Sequence, residues 1–128
     1  MVNLVLLSFL ASGSSFQTDL KTLYYFDFNF ETFQATGRRE IQNAKYTVSS
    51  RTFAEVESIL RRWESREHKS KINERRIRLM METRKGIIAL DAEGNLDIGG
   101  YGNVIPRDRL EMVSRILKSN GKYEKRNR

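Results

Sequence analysis

Hydrophobic residues follow a period of two between Leu23 and Phe33. Aromatic side chains alternate there with mostly polar ones, and the aromatic positions of one face are Tyr24, Phe26, Phe28 and Phe30. Side chains of a strand point alternately to its two faces, so this stretch predicts a strand with one aromatic face and one wet face. Aromatic stripes pack in a core or stack on bases. The core is the commoner use, and we expect it here.

Two other segments, Val48–Leu60 and Ile105–Leu117, have the wider hydrophobic spacing of amphipathic helices. They align without a gap, and their apolar positions correspond in five pairs: Val48 with Ile105, Phe53 with Leu110, Val56 with Val113, Ile59 with Ile116, and Leu60 with Leu117. A duplicated strands-plus-helix unit would produce this match. The shared requirements of any helix start would produce it as well, so both explanations stay open.

The ends of both helices have sequence signals. Thr52 and Glu55 have the spacing of a capping box at the start of the first helix. Pro106 fits the first turn of the second, because it lacks only an amide hydrogen that would have no partner there. Gly121 predicts a left-handed residue that ends the second helix.

Short apolar runs between turn residues predict the remaining strands, namely Ile41–Val48, Arg76–Thr83, Gly86–Leu90 and Asn95–Ile98. Asp91–Asn95 is predicted to be a hairpin loop in which Gly94 supplies a positive φ. Gly99–Asn103 is predicted to be a flexible connection. Met1–Leu10 predicts a first strand, with a signal peptide as the alternative.

These elements predict an α+β fold, an antiparallel sheet of five to six strands with two amphipathic helices packed on one face. A duplicated strands-plus-helix unit is the open alternative for its origin. We expect one domain over residues 1–121 and a frayed basic tail over residues 122–128. The sheet and helices should share one core cluster of nine residues, since they have no other large partner: Phe26, Phe28, Phe30, Phe53, Val56, Leu60, Leu110, Val113 and Leu117.

The charge of the chain is concentrated in two segments. The 128 residues have a net charge of +7. Arg61–Arg78 contains eight basic residues and three glutamates, and Lys118–Arg128 contains five basic residues and one glutamate. The rest of the chain is therefore close to neutral, which directs attention to the two basic segments as binding surfaces.

Few residues suit catalysis or metal binding. The chain has no cysteine, and its one histidine, His68, stands in a charged stretch that we expect to be exposed. Asp91, Glu93 and Asp97 are spaced like part of a calcium loop, but the glycine falls at the fourth position and no glutamate follows at the twelfth. The cluster of Gly99, Gly100 and Gly102 lacks the lysine of a phosphate-binding loop. We predict no catalytic residues, no cofactor and no metal.

The basic segments therefore give the strongest functional indication. The candidate binding residues are Arg61, Arg62, Arg66, Arg75, Arg76, Arg78 and Tyr101. We predict a non-enzymatic protein-binding module of the inhibitor or immunity type whose partner is another, acidic protein. The alternative is a nucleic-acid-binding protein that uses Arg61–Arg78 and the tail, with an aromatic ring to stack on a base.

The order of helix, three strands and helix resembles that of a double-stranded-RNA-binding domain, which would suit the alternative. However, Pro106–Arg109 stands where such domains place lysines. We expect a cytoplasmic protein without a stable membrane span, or a secreted or periplasmic one if residues 1–13 are a signal peptide.

Overall fold

The computed structural model describes residues 19–29, 35–64 and 71–124. Met1–Leu10, Phe30, Arg66 and His68, on which predictions were made above, lie outside these residues. The elements follow in the order β1 (Leu20–Tyr25), α1 (Arg38–Ile41), β2 (Lys45–Ser49), α2 (Ser50–Arg61), β3 (Ile77–Thr83), β4 (Gly86–Asp91), β5 (Asn95–Ile98), β6 (Tyr101–Val104), α3 (Arg107–Asn120) and β7 (Gly121–Tyr123).

All seven strands form one sheet in the order β6-β5-β4-β3-β1-β2-β7. Every neighbouring pair is antiparallel. The predicted α+β class with an antiparallel sheet is confirmed. The described residues contain seven strands and three helices, more than predicted, and the additional elements α1, β6 and β7 have only four, four and three residues.

The helices α2 and α3 cover one face of the sheet and enclose the main core with it. Seven of the nine predicted core residues belong to this cluster: Phe28, Phe53, Val56, Leu60, Leu110, Val113 and Leu117. The paired positions of the two aligned segments have matching burial, with Ile59 and Ile116 both at the cluster's edge. The strands that follow the two helices do not occupy matching places in the sheet, however. β3 follows α2 and pairs with β1, whereas β7 follows α3 and pairs with β2. The correspondence therefore covers the helices and not the strands that follow them.

The aromatic strand is shorter than predicted, and its faces are reversed. Leu23 and Tyr25 point into the main core, whereas Tyr24 and Phe26 pack on the opposite face with a second cluster of Ile41, Ile77 and Met80. The prediction that Phe26 joins the helix-covered core was wrong. Ile41 of α1 covers part of this second face, so β1 carries large apolar or aromatic side chains on both of its faces at Leu23–Tyr25. Alternation along the sequence therefore cannot show which face the two larger helices cover.

The start of α2 also differs from the prediction. Ser49 is the N-cap, and its Oγ accepts a hydrogen bond from the Thr52 backbone N–H at 3.1 Å. The predicted cap, Thr52, is instead buried within the first turn. The preceding strand begins at Lys45 rather than Ile41, because Arg38–Ile41 form α1.

Gly121 adopts an extended conformation, with φ −150° and ψ 177°, and not the predicted left-handed one. A Cβ atom at this position would lie 2.4 Å from Cε2 of Tyr46. Glycine is therefore required for close approach between strands. Lys122 and Tyr123 continue into β7, so the expected frayed tail is an edge strand at these positions.

Gly99 and Gly100 form a two-residue hairpin turn between β5 and β6, with φ angles of 62° and 88°. The predicted flexible connection is thus an ordered hairpin. Gly94 has the predicted positive φ, at 93°.

Candidate binding surfaces

The described arginines of the predicted basic segment Arg61–Arg78 are divided between opposite ends of β3. Arg61 donates a hydrogen bond of 3.0 Å to Oγ1 of Thr83, the last residue of this strand. Arg75 and Arg76 immediately precede its first residue, Ile77. Seven residues of strand span roughly 20 Å. The sheet therefore separates the predicted patch into two places, which we call the Thr83 end and the Ile77 end.

At the Ile77 end, the arginines are largely part of the structure. Arg76 forms an ion pair with Glu93. Arg78 is 1% exposed, and its Nη1 donates a hydrogen bond of 3.2 Å to the Ile77 carbonyl. Burial lowers the pKa of Arg78, the nearby charge of Arg76 lowers it further, and Glu93 and Asp91 oppose both. Arg75 and Arg76 are both exposed, and of these two only Arg75 forms no ion pair with another described residue.

Asp91 organises the same end of the sheet. Its buried carboxylate accepts hydrogen bonds from four N–H groups: the backbone amides of Asn73 at 2.7 Å, Glu93 at 2.9 Å and Asn95 at 2.8 Å, and the side-chain amide of Asn95 at 2.8 Å. These contacts explain the calcium-like spacing as the closure of a hairpin. In the described part of the chain, no group of three or more His, Asp or Glu residues is placed to hold a metal ion.

At the Thr83 end, most of the cations form no ion pair with another described residue. Arg61 is the exception, because Glu57 and Glu64 bind it at 2.9 and 3.6 Å. Arg62, the C-cap residue that follows α2, is exposed, as are Arg84 and Lys85 in the β3–β4 turn. None of these three forms an ion pair with another described residue.

Two adjoining grooves run between α2 and this turn. Their volumes are about 420 and 550 Å³, and Glu57 and Lys85 line both. Lys21 lines the larger groove and lies with its Nζ 5.0 Å from the centre of the Phe53 ring, a cation–π contact. Lys21, Arg84 and Lys85 were missed by the sequence analysis. A tight turn made of two adjacent cations was the signal that could have pointed to Arg84 and Lys85.

Exposed aliphatic side chains flank these cations on the other face of the sheet. Leu20 is 59% exposed at the start of β1, and Ile87 is 45% exposed at the start of β4. Each alternates with a residue that faces the helices, so both point away from α2. We name Leu20, Arg62, Arg84, Lys85 and Ile87 together the hairpin surface.

Of the other predicted residues, Tyr101 begins β6 and is 38% exposed. The strand pairing places it at the Thr83 end of the sheet. Tyr101 pairs with Ile98 of β5, Ile98 pairs with Ile88 of β4, and Ile88 pairs with Met81, two residues before Thr83. Three strand spacings, or roughly 14 Å, separate β6 from β3. Of the predicted residues that the structure describes, Arg61 and Arg62 lie together at the Thr83 end and are separated from Tyr101. Arg75, Arg76 and Arg78 lie together at the Ile77 end.

Comparisons of the chain with protein-family models, with curated proteins and with solved structures give no match. Within residues 19–29, 35–64 and 71–124, no helix is long and apolar enough to cross a membrane.

Proposed function

We propose that this protein is a protein-binding module of the inhibitor or immunity type, which binds an acidic partner protein through the hairpin surface. The observation that carries the proposal is the combination, at one end of the sheet, of exposed aliphatic side chains and cations that have no ion pair among the described residues. Arg62, Arg84 and Lys85 supply the charge. Leu20 and Ile87 supply apolar area that a partner would bury.

The charge balance of the grooves favours an acidic partner. Two carboxylates line the grooves, Glu57 and Glu82. Glu57 forms an ion pair with Arg61, so its negative charge is already neutralised. Complementary charge raises the rate of encounter between proteins and selects against basic competitors. The exposed leucine and isoleucine would then hold the complex, because burial of apolar area slows dissociation.

The nucleic-acid alternative has weaker support. Phosphate binding requires several cations along one continuous track. The described residues of the Arg61–Arg78 segment do not supply such a track, since Arg76 is paired with Glu93, Arg78 is buried, and Arg61 and Arg62 lie at the other end of β3. Aliphatic side chains beside the remaining cations suit a protein surface better than a phosphate backbone.

A charge-reversal experiment tests the proposal. The double variant Arg84→Glu/Lys85→Glu is compared with Arg39→Glu/Lys45→Glu, which makes the same change in net charge at exposed residues away from the turn. Each protein is used for affinity capture from the native host, and binding of each captured protein is then measured directly with purified components. Wild type and the control should bind the same acidic protein, whereas the turn variant should associate about tenfold more slowly at low salt.

Two results would contradict the proposal. One is equal partner binding by the two double variants, which would make the hairpin surface irrelevant. The other is micromolar or tighter affinity of the wild type for unrelated DNA or RNA sequences with a steep dependence on salt, which would establish the nucleic-acid alternative instead.

A further inference from the structure

A cavity of about 230 Å³ lies between α3 and the turn that follows β1. Its lining combines apolar and charged side chains: Phe28, Asn29, Arg107, Leu110, Glu111, Ser114, Arg115 and Lys118. The volume is below the roughly 300–1,000 Å³ of common ligand sites, so it suits a molecule of fragment size. The cavity does not overlap the hairpin surface and shares no residue with it.

The two walls of the cavity are held together by polar contacts. Lys118 forms an ion pair with Asp27, and the Arg107 guanidinium donates to Oδ1 of Asn29. The Asn29 backbone N–H donates to Oδ1 of Asp27 at 2.9 Å, which fixes the turn itself. These contacts give the cavity a defined shape before any ligand arrives, and such preorganisation lowers the entropic cost of binding.

The floor is apolar and the rim is cationic. Phe28 and Leu110 are 5% and 2% exposed and belong to the main core. Three cations stand on the rim, namely Arg107, Arg115 and Lys118. Glu111 lies 3.8 Å from Arg107, and Asp27 forms an ion pair with Lys118. Arg115 has no ion pair or side-chain hydrogen bond with another described residue. Among the described residues, one positive charge is therefore left without a counter-charge beside the apolar floor.

A hydroxyl pair adds hydrogen-bonding capacity to the wall. Oγ of Ser114 lies 2.8 Å from the Tyr25 hydroxyl, and either group serves as the donor. When the tyrosine donates, the Ser114 hydroxyl hydrogen is available to an acceptor in the cavity. An anionic oxygen is the acceptor that would benefit most, because charge-assisted hydrogen bonds are about twice as strong as neutral ones.

We propose that this cavity binds a small organic anion, with the apolar body of the ligand on Phe28 and Leu110 and its anionic group beside Arg115 and Ser114. An amphipathic carboxylate has this chemistry. An inorganic anion lacks the body that the floor would bury, and a neutral compound gains nothing from Arg115.

Benzoate, benzyl alcohol and inorganic phosphate are suitable probes, because they separate the two parts of the proposed ligand. Binding is followed by backbone amide chemical shifts of the whole protein at constant ionic strength. Benzoate should saturate shifts at Asn29, Leu110 and Ser114, with an affinity at least about tenfold higher than that of either other probe.

The matched variants are Arg115→Gln and Arg109→Gln. Both remove one exposed cation from α3, but Arg109 does not line the cavity. Arg115→Gln should weaken benzoate binding about tenfold and leave benzyl alcohol unchanged, and Arg109→Gln should bind as the wild type does. The proposal is overturned if benzoate gives no saturable shifts, if it binds no better than benzyl alcohol or phosphate, or if the two variants behave alike.

Discussion

The Ile77 end and the Thr83 end of the sheet contain the same residue types and use them differently. At the Ile77 end, Arg76 is paired with Glu93 and Arg78 is 1% exposed. At the Thr83 end, Arg84 and Lys85 project from a turn without an ion pair to any described residue. The comparison teaches that charge density along a chain does not predict charge density on a surface. A single strand suffices to move neighbouring cations into different environments.

The largest effect on stability is expected from Asp91 at the Ile77 end. Asp91→Ala removes the acceptor of four N–H groups in a buried place, and we expect a loss of about 3–4 kcal/mol in the free energy of unfolding. Urea denaturation measures this loss. A loss below about 1 kcal/mol would mean that the buried hydrogen bonds do not hold this end together.

Substitution of Arg78 is the second test of how the buried polar side chains at the Ile77 end stabilise the fold. Arg78→Ala removes a long, buried side chain from the start of β3, which should cost about 2–4 kcal/mol through lost packing and hydrogen bonding. Arg75→Ala is the matched control, because Arg75 is exposed three residues earlier and should change stability by less than about 0.5 kcal/mol. Similar losses in the two variants would contradict the contrast between buried and exposed arginine.

Alkaline pH should lower the free energy of unfolding through Tyr25, the last residue of β1, whose ring is buried in the main core. Burial raises the pKa of Tyr25 from 10.0 to about 12, and the hydrogen bond with Ser114 opposes this shift. The folded state therefore keeps a proton that the unfolded state has lost. The contribution of the protonated Tyr25 hydroxyl to the free energy of unfolding is therefore fully present below pH 10, and it is lost as the pH rises to about 12.

Urea denaturation of wild type and Tyr25→Phe at several pH values across this window tests the effect. The variant lacks the ionisable hydroxyl, so its stability should fall less steeply with pH than that of the wild type. Parallel pH dependences would assign the alkaline loss to other groups.

The smallest stability effect is expected at the Thr83 end. Replacing Arg84 and Lys85 together by Ala should change the free energy of unfolding by less than about 0.5 kcal/mol, because both side chains are exposed and lack ion pairs among the described residues. Thermal denaturation checks the stability, and binding to the partner should weaken in the same protein. A large loss of stability would show that the hairpin surface is structural.

Much of the fold could be predicted because helix spacing and turn chemistry are local. The stripes through Leu60 and Leu117 predicted both large helices and the layer they form on the sheet. The reversal of β1 could not be predicted, since α1 is four residues long and gives almost no periodic signal. The candidate surface was predicted only in part. Arg62 lies in a recognisable charge run, whereas Leu20 and Ile87 join it only through strand pairing.

By itself, the sequence determined the fold class, the two large helices, the Asp91–Asn95 hairpin and the content of basic charge, because each depends on residues close together in the chain. Only the tertiary structure decided which face of β1 meets the helices, that Gly121 is needed beside Tyr46, and which arginines are buried. These outcomes depend on contacts between residues far apart in the chain. The length of each strand and the order of strands in the sheet determine which distant residues meet, and a local sequence pattern predicts neither of these.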